Sequence, residues 1–233
     1  MTRVTSAALV ARVIEVGESD LIATLITEQL GTVSVSVRGG RRSSRRVGGS
    51  LEPIHTVEVD IEDRGGELMA LRESRIVRAR VKLAGSLRAL ESAGLALRWA
   101  RHLFPPRVPE AMGWRALVDL LDALDDDDAH SGQELARAGL RILAAAGYGL
   151  DLERCVVCGR RCPQGKAAAV DPSRGGLVCR GCGGAGTVLP AGVRRAARAL
   201  VEGRTIDVTA NDADAVVAVV HDVMACHTGF ERR

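Results

Sequence analysis

Four of the six cysteines in this 233-residue chain stand in two pairs, Cys155-x2-Cys158 and Cys179-x2-Cys182, with twenty residues between the pairs. A two-residue gap lets both thiolates of a pair face one ion, and two such knuckles supply the four sulfurs of a closed tetrahedral zinc shell. Glycine follows Cys158, and Gly181 lies inside the second pair, as tight knuckle turns require. The spacing therefore predicts one structural Zn2+ held by Cys155, Cys158, Cys179 and Cys182. A redox dithiol needs a single pair in a thioredoxin-like βαβ context, which is missing. A catalytic zinc needs an open position, and four thiolates leave none. Cys162 is the competing ligand. Cys226 reads as a buried cysteine on the last helix, with His221 and His227 as surface neighbours. A segment built this way folds only with its metal bound.

A second chemistry is written in VRGGRRSSRRVGG, Val37 to Gly49, which holds Arg38, Arg41, Arg42, Arg45 and Arg46 and no acid. Acids are absent from residue 29 to residue 51. Guanidinium groups pair with phosphate oxygens in a fixed fork, and glycine and serine let the chain follow a strand of nucleic acid. The alternative is a solvated loop coloured by an arginine-rich composition, since lysine occurs only at Lys82 and Lys166. No Phe, Trp or Tyr precedes Trp99, so bases have no aromatic platform to stack on apart from arginine planes or His55. Binding through this segment would be dominated by phosphates and insensitive to sequence. With all five arginines engaged on single-stranded DNA, log K would fall with log salt by about 3.5. Base edges left free can pair, which suits strand annealing better than strand protection.

DDDDAH, residues 125–130, is the only dense acidic cluster. Consecutive acids at a helix end or in a loop cannot all face one ion, so a metal hydrolase is disfavoured and the run reads as a solvated loop. No GxxxxGK[ST] phosphate loop occurs, so no ATP-driven action is expected. The chain is not expected to be an enzyme.

These residues need elements to hold them. Segments 4–14, 20–28, 32–38, 55–62 and 67–78 read as strands: Val33, Val35 and Val37 alternate with polar residues, as do Val57, Val59 and Ile61. Five short strands in about 80 residues fit a small closed or nearly closed barrel, of which the oligonucleotide-binding (OB) fold is the common five-stranded version. From residue 81 the period changes. Leu83, Leu87, Leu90, Gly94 and Leu97 predict one helix face, ended by Phe104-Pro105-Pro106. Further helices are expected near 110–124, with Met112 on the apolar side, near 132–146 with Gly147 as a left-handed cap, near 191–202, and near 212–227 capped by Asn211 or Asp212. The organisation is thus α+β: an OB barrel over 1–80, a helical body over 81–150, a four-cysteine finger over 151–186, and C-terminal helices over 187–233 that pack with the helical body. The net charge of +3 says little alone about nucleic acid. No apolar run is long enough to span a membrane, and no signal peptide is evident, so the chain is expected in the cytoplasm, and a DNA-binding role would associate it with the nucleoid.

GESDLIATLITEQLGTVSVSVRGGRRSSRR, LEPIHTVEVDIEDRGGELMALRES, and LRILAAAGYGLDLERCVVCG with VCRGC together resemble RecO, a bacterial family of recombination mediators, over nearly the whole chain. The resemblance implies binding of single- and double-stranded DNA and annealing of strands coated with the single-stranded DNA-binding protein, SSB. It also implies contact with the C-terminal tail of SSB, and action with RecR in loading RecA, an indirect partner, during gap and break repair. It places DNA contacts at Arg38, Arg41, Arg42, Arg45 and Arg46, with Arg12, Arg72 and Arg75 as further basic residues of the barrel. It matches the four cysteines to those of zinc-bearing members. The competing reading is an RNA- or ribosome-binding module on the same barrel and finger.

Overall fold

The computed structural model describes residues 2–40, 51–204 and 206–230. The chain divides into two compact units, Met1–Asp128 and Ala129–Arg233.

Five strands open the first unit: β1 (Thr2–Val16), β2 (Asp20–Thr27), β3 (Gly31–Val37), β4 (Thr56–Asp63) and β5 (Met69–Arg78). They close a barrel in the order β1-β2-β3-β5-β4, with β4 returning to β1. All pairings are antiparallel except the closure of β3 on β5, where Val35 faces Met69 and Ser36 faces Ala70. This is the expected OB-type barrel. The period-two pattern sets the register. Val33, Val35 and Val37 are buried between half-buried serines, and Val57, Val59 and Ile61 are buried between Glu58, Asp60 and Glu62. A register shift in β1 between Val10 and Arg12 bends the strand.

Helices α1 (Val81–Ala84), α2 (Leu87–Leu103) and α3 (Ala111–Asp126) complete the first unit. The single helix expected from residue 81 is broken at Gly85 and restarts under Ser86, whose hydroxyl accepts the Ala89 N–H. The restart rotates the face. Leu83 and Leu97 are buried, but Leu87 is 73% exposed, and Ala89, Ala93, Ala96 and Ala100 form the packed stripe instead. Met112 is likewise exposed. The acidic run is exposed from Asp126 onward, as a solvated loop would be, but Asp125 and Asp126 close α3, and Asp125 and Asp128 are engaged. Asp125 accepts the Leu83 N–H of α1 at 3.0 Å, and Asp128 accepts the hydroxyl of Ser86, the cap of α2, at 2.5 Å, so these two acids are tied to the neighbouring helix starts.

Between α2 and α3 the chain crosses the barrel end. Pro106 bridges Thr32, the Arg107 N–H donates to Thr32 O at 2.9 Å, and the Arg107 guanidinium donates to Gly66 O. Gly31 makes this crossing possible. Its φ is +69°, and a Cβ there would lie 2.1 Å from Val108 O.

The second unit holds α4 (Ser131–Ala145), the cysteine segment, α5 (Ala191–Val201) and α6 (Ala210–Thr228), with α4 packed on both later helices. The helices expected over 81–150 are thus shared between the two units. Gly147 adopts a φ of +85° after α4, whereas Thr209 caps α6 by accepting the Asp212 N–H, displacing the expected Asn211 or Asp212. The cysteine segment contains a four-stranded sheet with no counterpart in the sequence pattern: β6 (Asp151–Cys155), β7 (Ala168–Asp171), β8 (Gly176–Leu177) and β9 (Thr187–Leu189), in the order β6-β8-β7-β9. No helix among the described residues is long and apolar enough to cross a membrane.

Candidate functional site

The two knuckles converge. Cys155 ends β6 and Cys179 follows β8, and the parallel pairing of Cys155 with Leu177 brings the pairs together. All four ligand sulfurs, of Cys155, Cys158, Cys179 and Cys182, lie within 4.8 Å of one another. The Cys158 and Cys179 sulfurs are 3.8 Å apart. A tetrahedron with metal–sulfur bonds of about 2.3 Å has edges of about 3.8 Å, so the cage fits a tetrahedral ion of that size. Each knuckle turns on a left-handed glycine just past its second cysteine, Gly159 at φ +72° and Gly183 at φ +98°. The sequence-marked Gly181 lies within the short 3-10 turn Arg180–Cys182 and does not supply this conformation.

The Cys155 thiol is lowered to about 6, first by the Cys179 N–H donating to its sulfur at 3.3 Å and then by the Cys158 N–H. Cys182 is pushed up to about 12, first by its hydrogen bond with Cys179. Four crowded sulfurs cannot all ionise without a cation among them. Cys162 lies outside the cage, and burial raises its thiol. Cys226 is exposed, not buried as expected. His227 stacks on Tyr148 at 4.6 Å and His221 on Phe230 at 5.9 Å, so both rings are engaged away from the cage.

Arg38 is exposed just beyond the end of β3. Arg41, Arg42, Arg45 and Arg46 lie outside the described residues. Both ends of the segment are anchored. At the start, Asp20 accepts the Gly39 N–H at 2.8 Å, which together with the Ser19 hydroxyl holds its carboxyl below the usual range. At the far end, Leu51 and Ile54 are buried and Arg80 grips the main chain. Arg80 is fully buried. Its guanidinium donates to Ile54 O at 2.9 Å, to the Thr56 hydroxyl at 3.1 Å and to Asp122 at 2.8 Å. Burial lowers its pKa and Asp122 opposes that. The Arg80 N–H also donates to His55 Nδ1 at 3.1 Å, so the His55 ring is committed to the scaffold and is no stacking platform. Arg80 was not legible in the sequence, because an arginine buried against carbonyls looks like any other.

The remaining basic residues of the barrel divide in two. Arg72 is paired with Glu62 and Arg75 with Glu58, so their charge is compensated on the outer face of β4 and β5. Arg3 is likewise bound to Asp60. Arg12 is different: exposed on β1, it lies close enough to Arg101 on α2 to lower that guanidinium's pKa, after burial, the larger cause. On the barrel itself, Arg12 is thus exposed without a carboxylate partner among the described residues, with Arg101 of α2 near it, and the acid-free segment starts at Arg38.

Comparison with known proteins agrees with this layout. The family model described as Recombination protein O N terminal matches residues 1–80, and that described as Recombination protein O C terminal matches residues 84–233. The DNA repair protein RecO of Anaeromyxobacter sp. strain K is 36% identical over 183 residues, 78% of this chain and 71% of the relative. That of Geobacter sulfurreducens is 36% identical over 199 residues, 84% of this chain and 80% of the relative. That of a Nocardioides species is 32% identical over 186 residues, 79% and 76% of the two chains. The two family models together leave only three residues of the chain unmatched, and the chain belongs to the RecO family of recombination proteins.

Proposed function

We propose that this chain is a non-enzymatic mediator of DNA repair and recombination. It binds single- and double-stranded DNA through phosphate contacts and anneals complementary strands coated with SSB, whose C-terminal tail it contacts. With RecR it promotes RecA loading in gap and break repair. Arg38, Arg41, Arg42, Arg45 and Arg46 are its main DNA contacts. The observation that carries this reading is where free charge lies. The barrel's outer arginines Arg3, Arg72 and Arg75 already hold carboxylates, while residues 29–51 supply five arginines and no acid between two anchored ends. With no aromatic ring in the barrel, these contacts hold backbone and leave base edges free to pair. Cys155, Cys158, Cys179 and Cys182 would hold one Zn2+, which supplies structure and no chemistry.

The test is annealing of complementary strands precoated with SSB, without ATP. Acceleration by this protein is expected. Replacing Arg41, Arg42, Arg45 and Arg46 with alanine should reduce it and flatten the slope of log K against log salt on single strands by about 2.8. Binding of bare DNA with no acceleration would sink the mediator reading in favour of a general nucleic-acid or RNA module.

A further inference from the structure

Residues 151–204 carry ten arginines and lysines against four acids, a net charge of +6 in a chain whose total is +3. The structure gathers part of that excess. One face of α5, the residues just past its end, and Gln164 and Gly165 of the preceding loop line a cleft of about 750 Å³ whose walls include Arg194, Arg195, Arg198 and Arg204. A smaller recess of about 200 Å³, lined by Arg161, shares Gln164, Arg194 and Arg198 with it.

Arg194 builds this place. It is 3% exposed, and its donors all go to main-chain carbonyls: Leu152 O at 3.0 Å, Cys162 O at 3.0 Å, Pro163 O at 2.5 Å and Lys166 O at 3.4 Å. The loop is wrapped round the guanidinium, so one residue fixes both the wall of the cleft and a charge that no carboxylate cancels. Glu153 and Glu202 are the acids present, bound to Arg198 and Arg204. Five guanidinium groups against two carboxylates leave the combined cleft with three positive charges. Arg161 and Arg195 are exposed and have no carboxylate partner among the described residues.

We propose that this cleft is a second phosphate-binding site, taking the backbone of a nucleic-acid strand on the Ala129–Arg233 unit. The proposal rests on the reading above that the chain binds DNA. The lining favours a strand over an acidic peptide. Guanidinium groups recur along one helix face and past its end, as phosphates recur along a backbone, and Ala191 is the sole apolar side chain lining the larger cleft, so a peptide's apolar anchor has no seat. A chain with a phosphate site on each unit can hold two strands at once, which is one way to bring complementary strands together for annealing.

The experiment uses the full chain, a fluorescein-labelled oligothymidylate and a salt series read by anisotropy. Arg161→Ala/Arg195→Ala removes two exposed charges, and Arg88→Ala/Arg115→Ala removes two exposed charges from the other unit as a matched control. Melting and metal content confirm that both variants fold. The cleft variant should lose about 1.4 from the log–log salt slope and slow the annealing of bare complementary strands, with the control unchanged in both. An unchanged slope in the cleft variant, or an equal loss in the control, overturns the proposal. So does intact DNA binding with loss of binding to a labelled Asp/Glu-rich decapeptide, which would make the cleft a peptide site. Absence of oligothymidylate binding by the unaltered protein overturns the DNA reading as well. Retained binding with an unchanged slope overturns the second site alone.

Discussion

The barrel and the cysteine segment are both small sheets, yet they are held by different forces. The barrel's strands run seven to fifteen residues and enclose a continuous aliphatic core of Val, Leu, Ile and Ala. The strands of the cysteine segment run two to five residues, too short for alternate side chains to build a core. Burial there is confined to a few residues such as Leu152, Val170, Leu177 and Leu189. Four sulfurs and one buried arginine do the rest. The same contrast holds for charge. Residues 1–128 carry eighteen bases and nineteen acids, and the buried Arg80 faces Asp122; residues 151–204 carry ten bases and four acids, and the buried Arg194 faces carbonyls alone. A region with a large apolar core tolerates neutralised surfaces. The region whose four cysteines could hold a metal carries the excess charge.

Stripping the metal breaks the comparison most sharply. Chelation under reducing conditions should release about one zinc per chain and unfold residues 151–189, since structural zinc contributes on the order of 10 kcal/mol to such folds. Hydrogen exchange should show amide protection lost across β6–β9 and retained in β1–β5. Cys179→Ala should do the same. Equal protection with and without metal would mean that the segment's few apolar residues suffice.

The barrel unit should break instead at Arg80. Arg80→Met leaves Asp122 with Arg78 alone and frees the carbonyl of Ile54, at a cost of about 3–5 kcal/mol in urea unfolding. A loss under 1 kcal/mol would show that the strand ends hold themselves. Gly31→Ala comes next. A left-handed alanine costs about 1–3 kcal/mol, and its Cβ cannot coexist with Val108 O, so the crossing segment must lift from β3. The melting temperature should fall, and protection at Arg107, whose N–H donates to Thr32 O, should fall with it. Unchanged protection there would separate the crossing from barrel stability.

How much of this the sequence disclosed follows the same divide. The barrel was legible because alternation survives wherever one strand face is buried, as in Val57-Glu58-Val59-Asp60-Ile61. The four cysteines were legible because ligand spacing is local. The sheet of the cysteine segment was not, since β8 is two residues long and has no period to read. The break at Gly85 and Ser86 was missed because Leu83, Leu87 and Leu90 keep helical spacing across it, and only the capping hydroxyl reveals that Leu87 turns outward. Arg80 and Arg194 share a reason for escaping notice: their side-chain partners, a carbonyl, a hydroxyl and a carboxylate for Arg80 and carbonyls for Arg194, lie 24 to 42 residues away and leave no local trace. The charge imbalance of residues 151–204 was countable from the start, but a net charge of +3 concealed it.

The smallest expected effect tests how the arginine segment is footed. Asp20 is a half-buried carboxylate that accepts the Gly39 N–H, and that bond is the main reason its carboxyl sits below the ordinary range; the Ser19 hydroxyl and, more weakly, the Arg38 charge act in the same direction. A carboxyl whose folded pKa is lowered stabilises the fold fully above its unfolded value of about 3.9, and that contribution is lost as pH falls through the folded value. The Gly39 amide shift, followed by NMR, should therefore stay constant near neutral pH and titrate with a midpoint below about 3.9. Asp20→Asn keeps an acceptor oxygen, so it should abolish that titration and barely move the melting temperature. It also removes a negative charge beside Arg38, so binding to single strands should tighten slightly, opposite in sign to the arginine substitutions. A Gly39 midpoint at the ordinary carboxylate value would mean that the bond does not hold in solution, and that the arginine segment is anchored only at its Arg80 end.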